Sequence, residues 1–222
     1  AENLKKIMLD NLDDFSEISV AKPGFINFRF STKTYQKLII NILKISNKYG
    51  SNNKNESYNI EFVSANPTGP MHVGHSRGAV FGDVLANLLM FNGNKVVKEY
   101  YINDYGNQIT NFAESVFYRL REIKFKEKFP IKENLYPGDY VIDIANNILK
   151  DFKNIDLSDF KKNLEIITKE SLKHSMSLIK SDLRALGISH DNFVSEKSLV
   201  EKNLVEKSIQ ILKRKKFVED GY

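Results

Sequence analysis

A short apolar run, Ile60 to Val63, passes into Ser64-Ala65-Asn66-Pro67-Thr68-Gly69-Pro70-Met71-His72-Val73-Gly74-His75, and an apolar-periodic stretch then continues to Phe91. That order is strand, Gly/Pro-rich loop, helix. It constrains the fold more than any other part of the chain, because a parallel α/β sheet binds ligands outside the carboxyl ends of its strands. The N-terminus of the helix offers unpaired N–H groups and positive partial charge, which suit a phosphate. His72 and His75 lie in or beside that first turn, and their ring nitrogens can donate hydrogen bonds to phosphate oxygens. Gly74 between them has no side chain, so a flat ring can approach the backbone closely.

The flanking pattern extends the motif to one βαβ unit over residues 58–108. The strand is expected at about Asn59 to Ser64. Phe81, Val84, Leu85, Leu88 and Leu89 share one helical face, which is expected to cover the sheet as core. Asn92-Gly93-Asn94 is a helix stop. Val96 to Ile102 then returns as a strand, parallel to the first through a right-handed crossover.

The rest of the chain reads as mostly helical, over about residues 109–200. Ile109, Phe112, Ala113, Val116, Phe117 and Leu120 share a face. A second helix is expected from Tyr140 to Phe152. A third is expected from Phe160 to Leu186, with Leu172, Met176, Ile179, Leu183 and Leu186 on one side and Gly187 at its end. A short extended piece, Asn192 to Val194, precedes a last helix with a capping box of Ser198 and Glu201. At the other end the pattern is helix, hairpin, helix. Pro23-Gly24 marks the turn, Ile26, Phe28 and Phe30 alternate as in a half-buried strand, and Tyr35 to Ile45 is helical. The polar stretch Gly50 to Asn55 places a boundary between residues 1–50 and 51–222.

Bulk properties narrow the class. With 222 residues and 41% hydrophobic content the chain can bury a core. No apolar run reaches the ~20 residues of a membrane span. Ala1 to Asp14 is charged and polar, unlike a secretory leader. There are no cysteines, so disulfides and thiolate zinc sites are excluded. The expectation is a cytoplasmic protein without a membrane. The net charge of +5 favours an encounter with RNA without requiring one. Lys213-Arg214-Lys215-Lys216 reads either as a solvated helix end or as an RNA contact.

The loop resembles the His-x-Gly-His signature of class I aminoacyl-tRNA synthetases. Glu61-Phe62-Val63-Ser64-Ala65-Asn66-Pro67-Thr68-Gly69-Pro70 before it is similar to the bacterial arginyl-tRNA synthetase version. So are Arg77-Gly78, Tyr100-Tyr101-Ile102-Asn103-Asp104-Tyr105-Gly106-Asn107-Gln108, Tyr136-Pro137-Gly138-Asp139-Tyr140 and Val194-Ser195-Glu196-Lys197-Ser198-Leu199. A lone His-x-Gly-His is a weak signal; the combined set is specific and covers nearly the whole chain. The resemblance implies an α/β fold. It would be the first half of a class I Rossmann-like parallel-sheet catalytic domain with a mostly helical insertion. A small α+β remnant of the N-terminal tRNA-contacting domain would precede it.

The resemblance also implies an activity: ATP-dependent activation of L-arginine to arginyl-adenylate, then transfer to tRNA(Arg), with activation dependent on bound tRNA. His72 and His75 would be catalytic, stabilising the α-phosphate as the arginine carboxylate attacks it. Met71, His72, Gly74 and His75 would bind ATP, within the motif Ala65 to His75. Glu61, Ser64, Asn66 and His75 would bind arginine. Arg77, Asn103, Asp104 and Gln108 are further candidates.

Each has a plainer reading. Two histidines near a helix start are often surface residues. Zinc would need further ligands, and His174 and His190 lie in other elements, so no metal is expected. Glu61 could pair with Lys or Arg on an outer strand face. Asp104 could be an N-cap beside a turn glycine. Tyr100 and Tyr101 read as core or sheet-face residues.

ATP is expected as substrate, with Mg2+, and no prosthetic group. Full-length relatives would be monomers. The family's second signature, a Lys-Met-Ser-Lys-like loop, is not found before Asp220-Gly221-Tyr222, so the chain is expected to be a portion of a longer synthetase, weakly active or inactive alone. Other readings are a truncated paralogue acting as an RNA-binding module, or another class I synthetase.

Overall fold

The computed structural model describes residues 1–11, 13–218 and 221; of Asn11 only the backbone is described. The chain end at Asp220 and Tyr222 lies outside the described residues. The chain divides into two units, 1–52 and 53–222.

The first unit is helix α1 (Glu2–Asn11), a hairpin of β1 (Phe15–Ala21) and β2 (Phe25–Phe30), and helix α2 (Thr32–Ile45). The strands are antiparallel, with Val20 opposite Ile26 and Ala21 opposite Phe25 across the Pro23-Gly24 turn. Ser31 caps α2 by accepting the Thr34 N–H at 3.2 Å. The hairpin forms as the alternation predicts, but its faces are not half-buried. Phe28 and Phe30 stay 50% and 42% exposed, and Ile18 is the buried apolar residue here among the described residues. A two-stranded ribbon has too little chain around it to cover its aromatics.

The second unit is built on a parallel sheet of β3 (Ser57–Glu61), β4 (Lys95–Ile102) and β5 (Asn192–Ser195), with β4 central. Helix α3 (Val73–Phe91) links β3 to β4. Lys98 on β4 pairs with Asp83 on α3 at 2.7 Å, both side chains largely covered, which fixes the helix against the strand. The expected strand Asn59 to Ser64 is corrected: β3 stops at Glu61 and the chain turns sharply over Phe62 to Ser64.

The expected buried face of α3 is also corrected. Phe81, Val84, Leu85 and Leu88 are 72%, 50%, 39% and 55% exposed. The residues buried against the sheet are Ala79, Gly82 and Ala86. The helix is apolar nearly all round, so spacing could not choose the face. Small residues won because the Phe62 ring lies where a Cβ on Gly82 would be, 2.3 Å from its Cγ.

Between β4 and β5 the chain makes α4 (Asn107–Phe125), α5 (Asp139–Asp151) and α6 (Phe160–Ala185). All six predicted face residues of α4 are buried. Phe112, Ala113, Val116, Phe117 and Leu120 pack with Val141, Ile144 and Ile148 of α5, with Leu157 and with Ile167 of α6. Met176, Ile179 and Leu183 of α6 join Phe62 and Tyr100 in a second cluster under the sheet. Leu186, expected on that face, is 44% exposed. Gly187 ends α6 at φ +74, and Ile188 N–H bonds the Leu183 carbonyl at 2.9 Å.

The predicted capping box of Ser198 and Glu201 is replaced. Helix α7 (Glu196–Glu201) starts earlier and is capped by Ser195, which accepts the Ser198 N–H at 3.1 Å. Helix α8 (Leu204–Arg214) follows. No helix among the described residues is long and apolar enough to cross a membrane.

Candidate functional site

The site begins with a backbone strain. Val63 sits at φ +69 and Ser64 at φ +40, and Ser64 N–H bonds the Phe62 carbonyl at 3.0 Å across a three-residue turn. A β-branched residue rarely adopts positive φ, so the surroundings must impose it. Phe62 N–H bonds the Glu99 carbonyl, and Ser64 Oγ accepts the Tyr101 N–H at 3.0 Å. His190 donates from Nε2 to the Phe62 carbonyl at 3.3 Å, with its ring 4.2 Å from that of Phe62. Burial is the main cause holding His190 below its ordinary pKa, so the neutral ring is the folded form.

Three side chains from three elements then hold the irregular loop. Tyr100 of β4 donates to the Ala65 carbonyl at 2.8 Å, Tyr140 of α5 donates to the Thr68 carbonyl at 2.9 Å, and Asp182 of α6 accepts the Met71 N–H at 3.3 Å. Tyr100 is fully buried, and burial pushes its phenol up to about 12. The Tyr140 ring lies between two glycines. A Cβ on Gly138 would come within 2.5 Å of it and one on Gly69 within 3.1 Å. Local pattern marked Tyr100 as core, but gave no sign that Tyr140, Asp182 and His190 act on this loop.

At the start of α3 the two motif histidines cap each other. His72 Nδ1 accepts from the Gly74 and His75 N–H groups at 3.1 and 3.4 Å, and His75 Nδ1 accepts from the His72 N–H at 3.4 Å. Their rings stack at 3.7 Å. The ring that approaches Gly74 is that of His72, whose Cε1 a Cβ would meet at 2.9 Å. The expectation of free first-turn N–H groups is therefore corrected at Gly74 and His75. With both Nδ1 atoms accepting, each neutral ring carries its proton on Nε2. Burial first, and repulsion from His72 second, hold His75 below its ordinary pKa.

Asn66, Asn103 and Gln108 come together from three segments. Asn66 donates to Gln108 Oε1 at 2.9 Å and accepts from Asn103 Nδ2 at 3.1 Å. Asn66 and Gln108 are exposed, so this chain of amides faces solvent. Glu61 is exposed at the end of β3, opposite Glu99, and forms no ion pair among the described residues. The reading of Glu61 as one half of a surface pair is thereby removed.

Asp104 does not cap α4, whose N-cap is Gly106. It accepts instead from Ser195 Oγ at 2.7 Å and the Lys197 N–H at 2.9 Å, tying β4 to the start of α7. The Tyr101 phenol is raised by burial first, then by Glu196, Asp104 and Glu61 in turn. Three carboxylates thus make the rim around Tyr101 negative, and Glu196 is a member that spacing did not mark. Arg77 is exposed on α3 beside Gly74, and lines an open hollow with Phe81 and Val84. A separate cavity of about 1,050 Å³ at the end of β4 is lined by Asp104, Gly106, Thr110 and residues of α6, and neither motif histidine reaches it.

Residues 38–218 match the family of tRNA synthetases class I (R), catalytic domain. An arginine–tRNA ligase of Pelagibacter ubique is 52% identical over 96% of this chain and 38% of its own length. One of Ehrlichia ruminantium is 45% identical over 99% of this chain and 39% of its own length. A Campylobacter jejuni crystal structure named for an arginyl-tRNA synthetase superposes with a TM-score of 0.76 at 34% identity, over 86% of this chain and 42% of that one. Arginyl-tRNA synthetase of Thermus thermophilus shares the fold, with a TM-score of 0.63 at 22% identity. The chain spans about two fifths of the length of the curated relatives it matches. With the family match running from residue 38 to residue 218, this chain belongs to the class I (R) tRNA synthetases, within their catalytic domain.

Proposed function

We propose that this chain supplies the first half of the active site of an arginine–tRNA ligase. Residues 1–50 would be the end of an appended tRNA-contacting domain, and 51–222 the N-terminal half of the catalytic domain. The substrates are L-arginine, ATP accompanied by Mg2+, and tRNA(Arg), and the full-length enzyme works as a cytoplasmic monomer. The arginine carboxylate attacks the α-phosphate of ATP. A carboxyl O–P bond forms, the bond to the β-phosphate bridge breaks, and pyrophosphate leaves. The adenylate then passes arginine to the tRNA.

The mutual cap of His72 and His75 carries this reading. It fixes two Nε2–H donors at one helix start, where charge accumulates on phosphate oxygens in the transition state. Met71 and Gly74 belong to the ATP side. Asn66 would receive the ammonium and carboxylate groups of the amino acid, a reading supported by the amide chain it forms with Asn103 and Gln108. The negative rim of Glu61, Asp104 and Glu196 suits a guanidinium. Ser64 keeps its hydroxyl proton while its oxygen holds β4. Arg77, exposed on α3, would meet a phosphate of nucleotide or RNA.

The test is pyrophosphate exchange into ATP with each amino acid in turn, with and without tRNA, on this chain and on one carried to the length of its relatives. Exchange dependent on arginine and tRNA in the longer chain, and weak or none in this one, is expected. Exchange with a different amino acid overturns the assignment.

A further inference from the structure

Away from the histidine loop, α5 and α6 gather three side chains that lie far apart in the pattern of the sequence. Glu170 and His174 stand four residues apart on α6, so one helical turn puts them on the same face. Asp151 is the last residue of α5. A carboxylate oxygen of Asp151, one of Glu170 and a ring nitrogen of His174 lie within 4.8 Å of one another. Glu170 is only 7% exposed, unusual for a carboxylate. Its ion-pair partner is Lys173 at 2.9 Å, on a side chain that is 63% exposed. His174 Nε2 is buried without a hydrogen-bond partner. A buried ring nitrogen in that state calls for an explanation, and a bound ion is one.

We propose that Asp151, Glu170 and His174 form a site for a divalent transition ion of zinc's class, which fastens the end of α5 to the middle of α6. One imidazole and two carboxylates match the borderline character of such an ion. The i, i+4 pair on α6 presents two ligands from a rigid backbone. The C-terminus of α5 adds the negative end of its dipole. Asp151, exposed at a helix end, is the ligand with room to close on the ion, and Lys173 is free to turn into solvent as the ion takes its place on Glu170. Three protein ligands leave a further position for water.

The experiment is a zinc titration against a chromophoric chelator, on the chain stripped of metal. His72→Ala and His75→Ala are both introduced, so that the histidine loop contributes nothing. One site is expected, weakened at least about tenfold by Asp151→Asn and by His174→Gln, with zinc raising the melting temperature only while the cluster is intact. Asp151→Asn changes an exposed residue, so its fold is secure. No saturation at micromolar zinc, or binding that both substitutions leave unchanged, overturns the proposal.

Discussion

His72 and His75 cap each other, each ring accepting at Nδ1 from the other's backbone N–H at 3.4 Å while the rings stack at 3.7 Å. The same two residues thus start α3 and fix the tautomer of both rings. A proton added at Nδ1 of His75 would break the bond that atom accepts from the His72 N–H.

A pH dependence follows. His75 and His190 both have folded pKa values below the ordinary 6.5, with burial as the first cause in each. The unfolded chain therefore binds more protons just below pH 6.5, and stability rises with pH across that window. The contribution is complete above pH 6.5 and is lost as pH falls through the folded values. Melting temperature measured from pH 8 to pH 5 should fall on the acid side, and His190→Asn should flatten part of that fall. A curve unchanged in both proteins rejects the linkage.

The loop clamps can be removed one oxygen at a time. Tyr140→Phe takes the donor from the Thr68 carbonyl, and Tyr100→Phe takes it from the buried Ala65 carbonyl. Each should cost about 1 kcal/mol in urea unfolding, with Tyr100→Phe the larger because its acceptor is left buried. ATP affinity of a full-length version should weaken in parallel.

Gly82 and Gly74 should resist a single methyl for different reasons. Gly82→Ala meets the Phe62 ring root at 2.3 Å, and should destabilise by about 1–3 kcal/mol. Gly74→Ala meets only the edge of the His72 ring at 2.9 Å. Displacing the imidazole removes the cap of α3, so about 1 kcal/mol is expected in denaturant unfolding, with the larger effect in pyrophosphate exchange by a full-length version.

In a full-length version, Asn66→Ala and Glu61→Ala should raise the KM for arginine by roughly tenfold or more, a loss near 1.4 kcal/mol, with the KM for ATP little changed. Equal loss of both would remove Asn66 and Glu61 from the amino-acid pocket.

Asp104 should act on stability as well as through the rim it shares with Glu61 and Glu196. Asp104→Ala deletes two bonds to a carboxylate, from Ser195 and from the Lys197 N–H. About 2 kcal/mol is expected, together with faster hydrogen exchange in residues 195–201.

Local pattern was enough for the strand–loop–helix order, for the ends of α5 and α6 to within a residue, and for the buried face of α4, because each depends on neighbours within a few residues. The motif from His72 to His75 could be picked out locally, but the mutual cap of its two histidines was not foreseen, since free first-turn N–H groups were expected there. What needed the tertiary structure is what joins distant segments. The extended piece at Asn192 was visible, but its pairing beside β4 was not. Periodicity named an apolar face on α3 without saying which residues would meet the sheet, and the Phe62 ring chose the small ones. Asp104 read as a local cap, and its bond to Ser195 spans 91 positions. The clamps from Tyr140 and Asp182, and the meeting of Asp151 with Glu170 and His174, belong to the same class. A sequence records how each segment repeats along its own axis, and only the packed chain decides which segments come within hydrogen-bond reach.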